Sequence, residues 1–252
     1  MAFERPIAGA GPGAEPAPVP VPSEPDPGRA EGVAEGVTAP MRLQVLSTEH
    51  WSLLASRSLA WNESFSRAGM FLTTLSGSIV ALALVAQASS FDESFRLFAL
   101  VILPVVLFVG IGTWLRLGIA NQHDAMCVIG MNRIRAGYLE MAPDLRRFFV
   151  TGTSDDLPAV ARTMGIEPTM SMGVQILAST PMLVSVLNSV LLAAIGALAS
   201  LQLGAGVEIA LGVAAIGFLV GMAGHQWYAV REIGRAQSHH EVLFPPPGGG
   251  GE

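Results

Sequence analysis

Asn132-Arg133-Ile134-Arg135, with Tyr138 one turn further on, is the stretch of this chain whose residue types best suit binding. Guanidinium forks match the paired oxygens of phosphate and carboxylate, so Arg133, Arg135 and Tyr138 are candidate contacts for a phosphate, a lipid headgroup or a protein partner. The competing reading is internal salt bridging. Residues 116–168 carry six arginines and also six acids: Asp124, Glu140, Asp144, Asp155, Asp156 and Glu167.

Other candidates are sparser. His123 and His225 fall near the ends of apolar runs, where two imidazoles at one depth could hold a metal or a haem. Asn188 is strongly polar within an apolar run and would act as helix–helix glue or line a pore. Cys127 is a lone thiol without an activating neighbour and reads as a packing residue, which also excludes an intrachain disulfide. Asp155-Asp156 suits a helix start, where carboxylates meet the positive dipole end. There is no Walker loop, nucleophile elbow or zinc-protease helix. The expectation is a non-enzyme with no catalytic set, no cofactor and no metal.

The elements around these residues are apolar. Half of the 252 residues are hydrophobic (51%) and 13% are charged, against roughly a quarter charged in soluble domains. The fourteen basic residues are all arginine. The net charge of −6 carries no basic nucleic-acid footprint, so no nucleic-acid partner is expected. Residues 1–40 hold nine prolines and six glycines without a periodic apolar face, which predicts a disordered tail. This tail has no basic n-region followed by an apolar h-region, so it is expected to be retained.

Residues 41–67 show helical periodicity through Leu43, Leu46, His50, Leu53, Leu54, Trp61 and Phe65. They predict an amphipathic helix, either interfacial or packed on the 116–168 segment. Four uncharged runs come after it at 68–88, 97–115, 175–203 and 209–230, each long enough for roughly 20 residues to cross the hydrocarbon core. Pro104 and Pro181 predict kinks. The third run exceeds one crossing and is expected to tilt or extend. Residues 116–168 predict a helical segment between two hairpins, with Ser154 capping a last short helix, and 231–252 a tail. The fold class is therefore all-α membrane protein, with four transmembrane helices as two hairpins joined by a cytoplasmic helical segment.

Arginine placement sets the expected orientation. With the N-terminus inside, thirteen arginines lie on the cytoplasmic side and Arg96 alone lies in an outer loop, as the positive-inside rule requires. Both termini are expected in the cytoplasm of a bacterium, with the chain in its inner membrane. Small residues recur every fourth position at Gly69, Thr73, Gly77 and Ala81, at Ser185, Ser189, Ala193 and Ala197, and at Gly217 and Gly221. Such stripes let helices approach closely, within the chain or in a homo-oligomer.

Asn132-Arg133-Ile134-Arg135 with Tyr138 and Pro143, between hydrophobic hairpins, resembles a pattern in uncharacterised bacterial multi-span integral membrane proteins. The order of a helix, two spans and a long helix also resembles two-span effector proteins associated with nucleotide signalling, to which this chain adds two further spans. Neither resemblance implies an activity. The function expected is a non-enzymatic assembly or interaction protein that sits in the lipid bilayer and presents 41–67 and 116–168 to a cytoplasmic or membrane partner. The alternatives are a homo-oligomeric passive channel lined by Asn188, and a membrane redox or metal-binding subunit using His123 and His225.

Overall fold

The structure, a computed structural model, describes residues 37–166 and 171–246. Most of the tail expected at 1–40, the end of the 116–168 segment and residues 247–252 lie outside the described residues. The described residues are helical, with no strand among them.

Helix α1 runs from Ala39 to Ser89 without interruption, 51 residues or about 76 Å at 1.5 Å per residue. Pro40 sits in its first turn, where a missing N–H costs nothing. The boundary expected between residues 67 and 68 is absent, because nothing there breaks a helix and Ser64 and Ala68 are both buried on one continuing face. The helix ends where Ser90 and Phe91 take positive φ of 50° and 60°. Asp92 then caps α2, its Oδ1 accepting the backbone N–H groups of Ser94 at 2.9 Å and Phe95 at 3.2 Å.

Helix α2 spans Glu93–Met141, with Pro104 inside it, and stops at Ala142 before Pro143. A 3-10 turn over Pro143–Phe148 comes next. The short helix α3, Leu157–Thr163, is entered through Asp156 rather than Ser154. Ser154 instead donates its hydroxyl to the Asp156 carboxylate.

The third apolar run is not one long helix. A short α4, Met172–Leu177, is separated from α5, Thr180–Gln202, at Ala178 and Ser179. Ser179 Oγ caps α5 by accepting from Met182 N at 3.3 Å. Pro181 therefore starts a helix instead of kinking one, which suits a residue without an N–H. Gly204, at φ +84°, makes the turn into α6, Val207–Ser238.

α1, α2, α5 and α6 are long and apolar enough to cross a membrane. α1 packs along α2, α5 along α6, and α2 also against α5. The apolar core sits where α1, α2 and α5 meet: Phe71, Ala99, Val106 and Val184 are almost fully buried, with Leu103, Leu117 and Leu191 beside them. Polar belts bracket this core. At one end Glu63 takes Arg67 and Arg116. At the other, Arg96 Nε and the Glu93 carboxylate meet Gln202 at 2.9 and 3.2 Å. Arg96 to Arg116 is about 30 Å along α2, the thickness of a hydrocarbon core. Beyond the Glu63 belt, α1 and α2 continue side by side as a paired extension.

Candidate functional site

The extension is held by polar groups that its own sequence pattern buries. Asp124 lies on the α2 face that also carries Cys127, Met131 and Ile134, and is 2% exposed. A carboxylate there is tolerable only if paired. Arg57 of α1 supplies a two-pronged partner, Nε to Oδ1 and Nη2 to Oδ2, and Trp61 Nε1 donates to Oδ1 at 3.1 Å. Nearer the apolar core, Glu63 Oε1 accepts from Arg67 Nε and Oε2 from Arg116 Nη2. Hydrogen bonds from Arg116 and then Arg67 hold the Glu63 carboxyl well down, at about 2. Beyond these polar contacts, farther from the apolar core, the two helices touch closely: a Cβ on Gly130 would lie 2.8 Å from Leu53, and one on Gly137 3.3 Å from Leu46.

Two further hubs tie α2 to the α3 region and the C-terminal segment. Asn132, fully buried, donates to Ser154 O at 2.9 Å and accepts from Thr163 Oγ1 and Arg135 Nη1 at 3.0 and 2.9 Å. Asp155, also fully buried, accepts from Arg133 Nε at 2.8 Å and from the backbone N–H groups of Leu243 and Phe244 at 3.0 and 2.8 Å. Asp155 N donates in turn to Phe244 O at 3.1 Å. Burial pushes the Asp155 carboxyl up, but those two backbone donors and Arg133 outweigh it and hold it below its ordinary value. Asp155, expected as a helix-start residue, is instead the anchor of the C-terminal segment.

The three residues expected to bind as a group have separate partners. Arg133 is committed to Asp155 and to Glu241 O. Arg135 bonds Asn132 and is depressed by burial and by Arg57. Tyr138 faces His50 across the helix pair, with ring centroids 6.4 Å apart. Burial raises the Tyr138 phenol, against a hydrogen bond with Ser47.

In the apolar part, Asn188 is 1% exposed on α5. His225 Nδ1 donates to Gly221 O at 2.7 Å, which leaves Nε2 to accept from Asn188 Nδ2 at 3.4 Å. Trp114 stands edge-on to His225, ring centroids 4.6 Å apart. Asn188 Oδ1 has no hydrogen-bond partner among the described residues and rests against Gly110, where a Cβ would lie 2.0 Å away.

The small-residue stripes separate. Gly217 and Gly221 face Ala193 and Ser189, at 3.3 Å to Ala193 Cα and 2.9 Å to Ser189 Oγ for an added Cβ, and Ser185 and Ser189 are buried. Gly69 and Gly77 have nothing within 4 Å of an added Cβ, and Ala81 is half-buried. That stripe has no partner helix within the described residues. His123 contacts Cys127 Sγ at 3.9 Å on its own helix while His225 belongs to the Asn188 group, so the structure does not bring the two histidines together. The Cys127 thiol is buried and pushed up by that burial and by Asp124, against Arg57.

The sequence placed Asn132 in the candidate binding stretch and Asp124 among the acids open to internal salt bridging, but marked neither as a buried hub, and it did not mark Arg57 or Gly110. Asp124 had a readable signal, a carboxylate in step with an apolar helical stripe; Gly110 had none.

No family model matches this chain, and neither a curated protein nor a solved structure matches it. The class the fold defines is an all-helical protein with four helices long and apolar enough to span a membrane.

Proposed function

We propose that this chain is a four-span protein of the bacterial inner membrane, with both termini in the cytoplasm, acting as a non-enzymatic assembly or interaction protein. The observation that carries the reading is how the α1/α2 extension spends its polar groups. Asp124, Asn132 and Asp155 are used inward, on Arg57, Trp61, Ser154, Thr163, Arg133 and the C-terminal backbone. Among the polar residues that the extension turns outward stand large apolar ones: Leu59 is 71% exposed, and Trp51, Val45 and Phe65 are exposed on the same helix. A helix pair that spends its buried polar groups inward and carries large apolar side chains on its surface is suited to docking a protein. Arginine placement supports the orientation. The outward stripe at Gly69, Thr73 and Gly77 supports helix contacts made outside the chain, including a homo-oligomer.

A photo-crosslinking side chain placed at Leu59 in native membranes tests the reading. A discrete adduct with one protein, or with a second copy, is expected there, and none from the same probe at Val190 in the apolar part. No adduct at Leu59, Trp51 or Phe65, together with ion flux through liposomes carrying the purified chain, would overturn it in favour of a passive channel. The orientation is tested separately: a periplasm-active reporter fused after Glu252 should stay silent.

A further inference from the structure

Two unexplained groups meet in the extension. Four of its arginines are part-buried, and three of them meet a carboxylate: Arg57 at Asp124, Arg116 at Glu63 and Arg133 at Asp155. Arg135 meets none among the described residues. Its hydrogen bond is to a neutral acceptor, Asn132 Oδ1, at 2.9 Å. A part-buried guanidinium without a counter-charge is costly, and the cost is recovered when an anion joins it. On the facing helix, His50 Nδ1 is buried without a hydrogen-bond partner among the described residues. The His50 ring stands beside Tyr138, one turn from Arg135 on α2. Both anomalies also register electrostatically: burial and Arg57 depress Arg135, and burial and Arg135 depress His50. The locality is short of negative charge.

We propose that Arg135 and His50, with Tyr138 beside them, form a binding site for the phosphate group of a small soluble metabolite. The guanidinium can offer two parallel donors beyond the one spent on Asn132, and the imidazole can offer a third from the opposite helix, a set of donors from two helices that suits a tetrahedral oxyanion. Depth decides the source. Arg135 lies nineteen residues beyond Arg116, about 28 Å further along α2, whereas a headgroup layer extends only some 5–7 Å past the hydrocarbon. This depth argument rests on reading the apolar helices as membrane spans; it does not depend on the protein-docking reading.

The test is thermal unfolding of the full chain in nanodiscs of neutral phosphatidylcholine, titrated with inorganic phosphate against chloride at constant ionic strength. Saturable stabilisation of the unmodified chain is expected, weakened by about tenfold or more in apparent affinity by Arg135→Gln and unchanged by Arg147→Gln. Arg147 is an exposed arginine on Phe148, so it controls for loss of charge alone. Arg135→Gln should fold at least as well as the parent without phosphate, because it removes an uncompensated charge; a merely structural Arg135 would lower the midpoint instead. His50→Gln, with a weaker response to phosphate expected, keeps the test open if the arginine variant does not fold. No saturable shift, or an equal shift in Arg135→Gln, overturns the site. A response through Arg135 that appears only in phosphatidylglycerol nanodiscs assigns a lipid headgroup and overturns the soluble source. Absent phosphate binding with Leu59 crosslinking intact overturns the site and leaves the docking reading standing; phosphate binding without crosslinking does the reverse.

Discussion

Gly110→Ala is the substitution that most directly tests the packing of the apolar part. A Cβ on Gly110 would lie 2.0 Å from Asn188 Oδ1 and 2.7 and 2.9 Å from two ring carbons of Phe71. Phe71 is fully buried and Asn188 is 1% exposed, so neither has room to swing aside. Overpacking of this kind costs about 1–3 kcal/mol. Replacing glycine by alanine in a helix returns up to about 1 kcal/mol. The net expectation is destabilisation by about 1–2 kcal/mol. Gly112→Ala, two residues along the same helix, meets nothing within 4 Å and should be neutral or stabilising by a few tenths to about 1 kcal/mol. The two variants should therefore separate by several degrees in thermal unfolding followed by tryptophan fluorescence, since about 1 kcal/mol shifts a chain of this size by roughly 2–4 °C. Adding Asn188→Ala to Gly110→Ala removes the nearest clash at the loss of a 3.4 Å bond to His225, and should recover part of the deficit. Equal midpoints for Gly110→Ala and Gly112→Ala would refute the approach of α5 to α2 at this level.

Asp155→Ala leaves the Arg133 guanidinium and the Leu243 and Phe244 N–H groups without their acceptor, a loss of about 3–5 kcal/mol for a broken buried pair. Hydrogen exchange at Leu243 and Phe244 should accelerate sharply while exchange in α5 is unchanged; unchanged exchange at those two amides would sink the anchoring role. The Glu63 belt gives a pH dependence. Its carboxyl is lowered from 4.5 to about 2, so its contribution is present above the unfolded value and is lost as pH falls through the folded one. Exchange in the α1/α2 extension should hold constant from neutral pH to about 4.5 and rise between there and about 2. Glu63→Gln should remove that acid component, and a variant that keeps it would show that another carboxylate governs the transition.

The apolar helices were legible because hydrocarbon imposes a local test. A run of about twenty uncharged residues satisfies it whatever lies elsewhere in the chain, and the runs at 68–88, 97–115 and 209–230 each fall inside one helix of the structure. Helix ends were less legible. Residues 41–67 and 68–88 differ in polarity but not in backbone preference, so composition suggested a boundary where α1 has none. Pro181 was visible as a disruptor, but whether proline kinks a helix or begins one depends on the turn before it, here capped by Ser179. Of the candidate binding residues, Arg133, Arg135 and Tyr138 were readable as types, but their separation into different partners was not.

What the sequence determined by itself is therefore the broad architecture: four helices long and apolar enough to cross a membrane, with a polar segment between the second and third. These come from partition and periodicity, which act residue by residue along the chain. Only the tertiary structure decided the pairings. Arg57 and Asp124 stand 67 residues apart, and Arg133 and Glu241 108 apart. Which of many charges meet is set by the register of two helices about 75 Å long and by the path of the C-terminal segment. A shift of one turn would pair different residues without changing the composition of either helix. That register spends Asp124 on Arg57, while among the described residues Arg135 meets only a neutral acceptor, Asn132 Oδ1, and His50 Nδ1 has no hydrogen-bond partner.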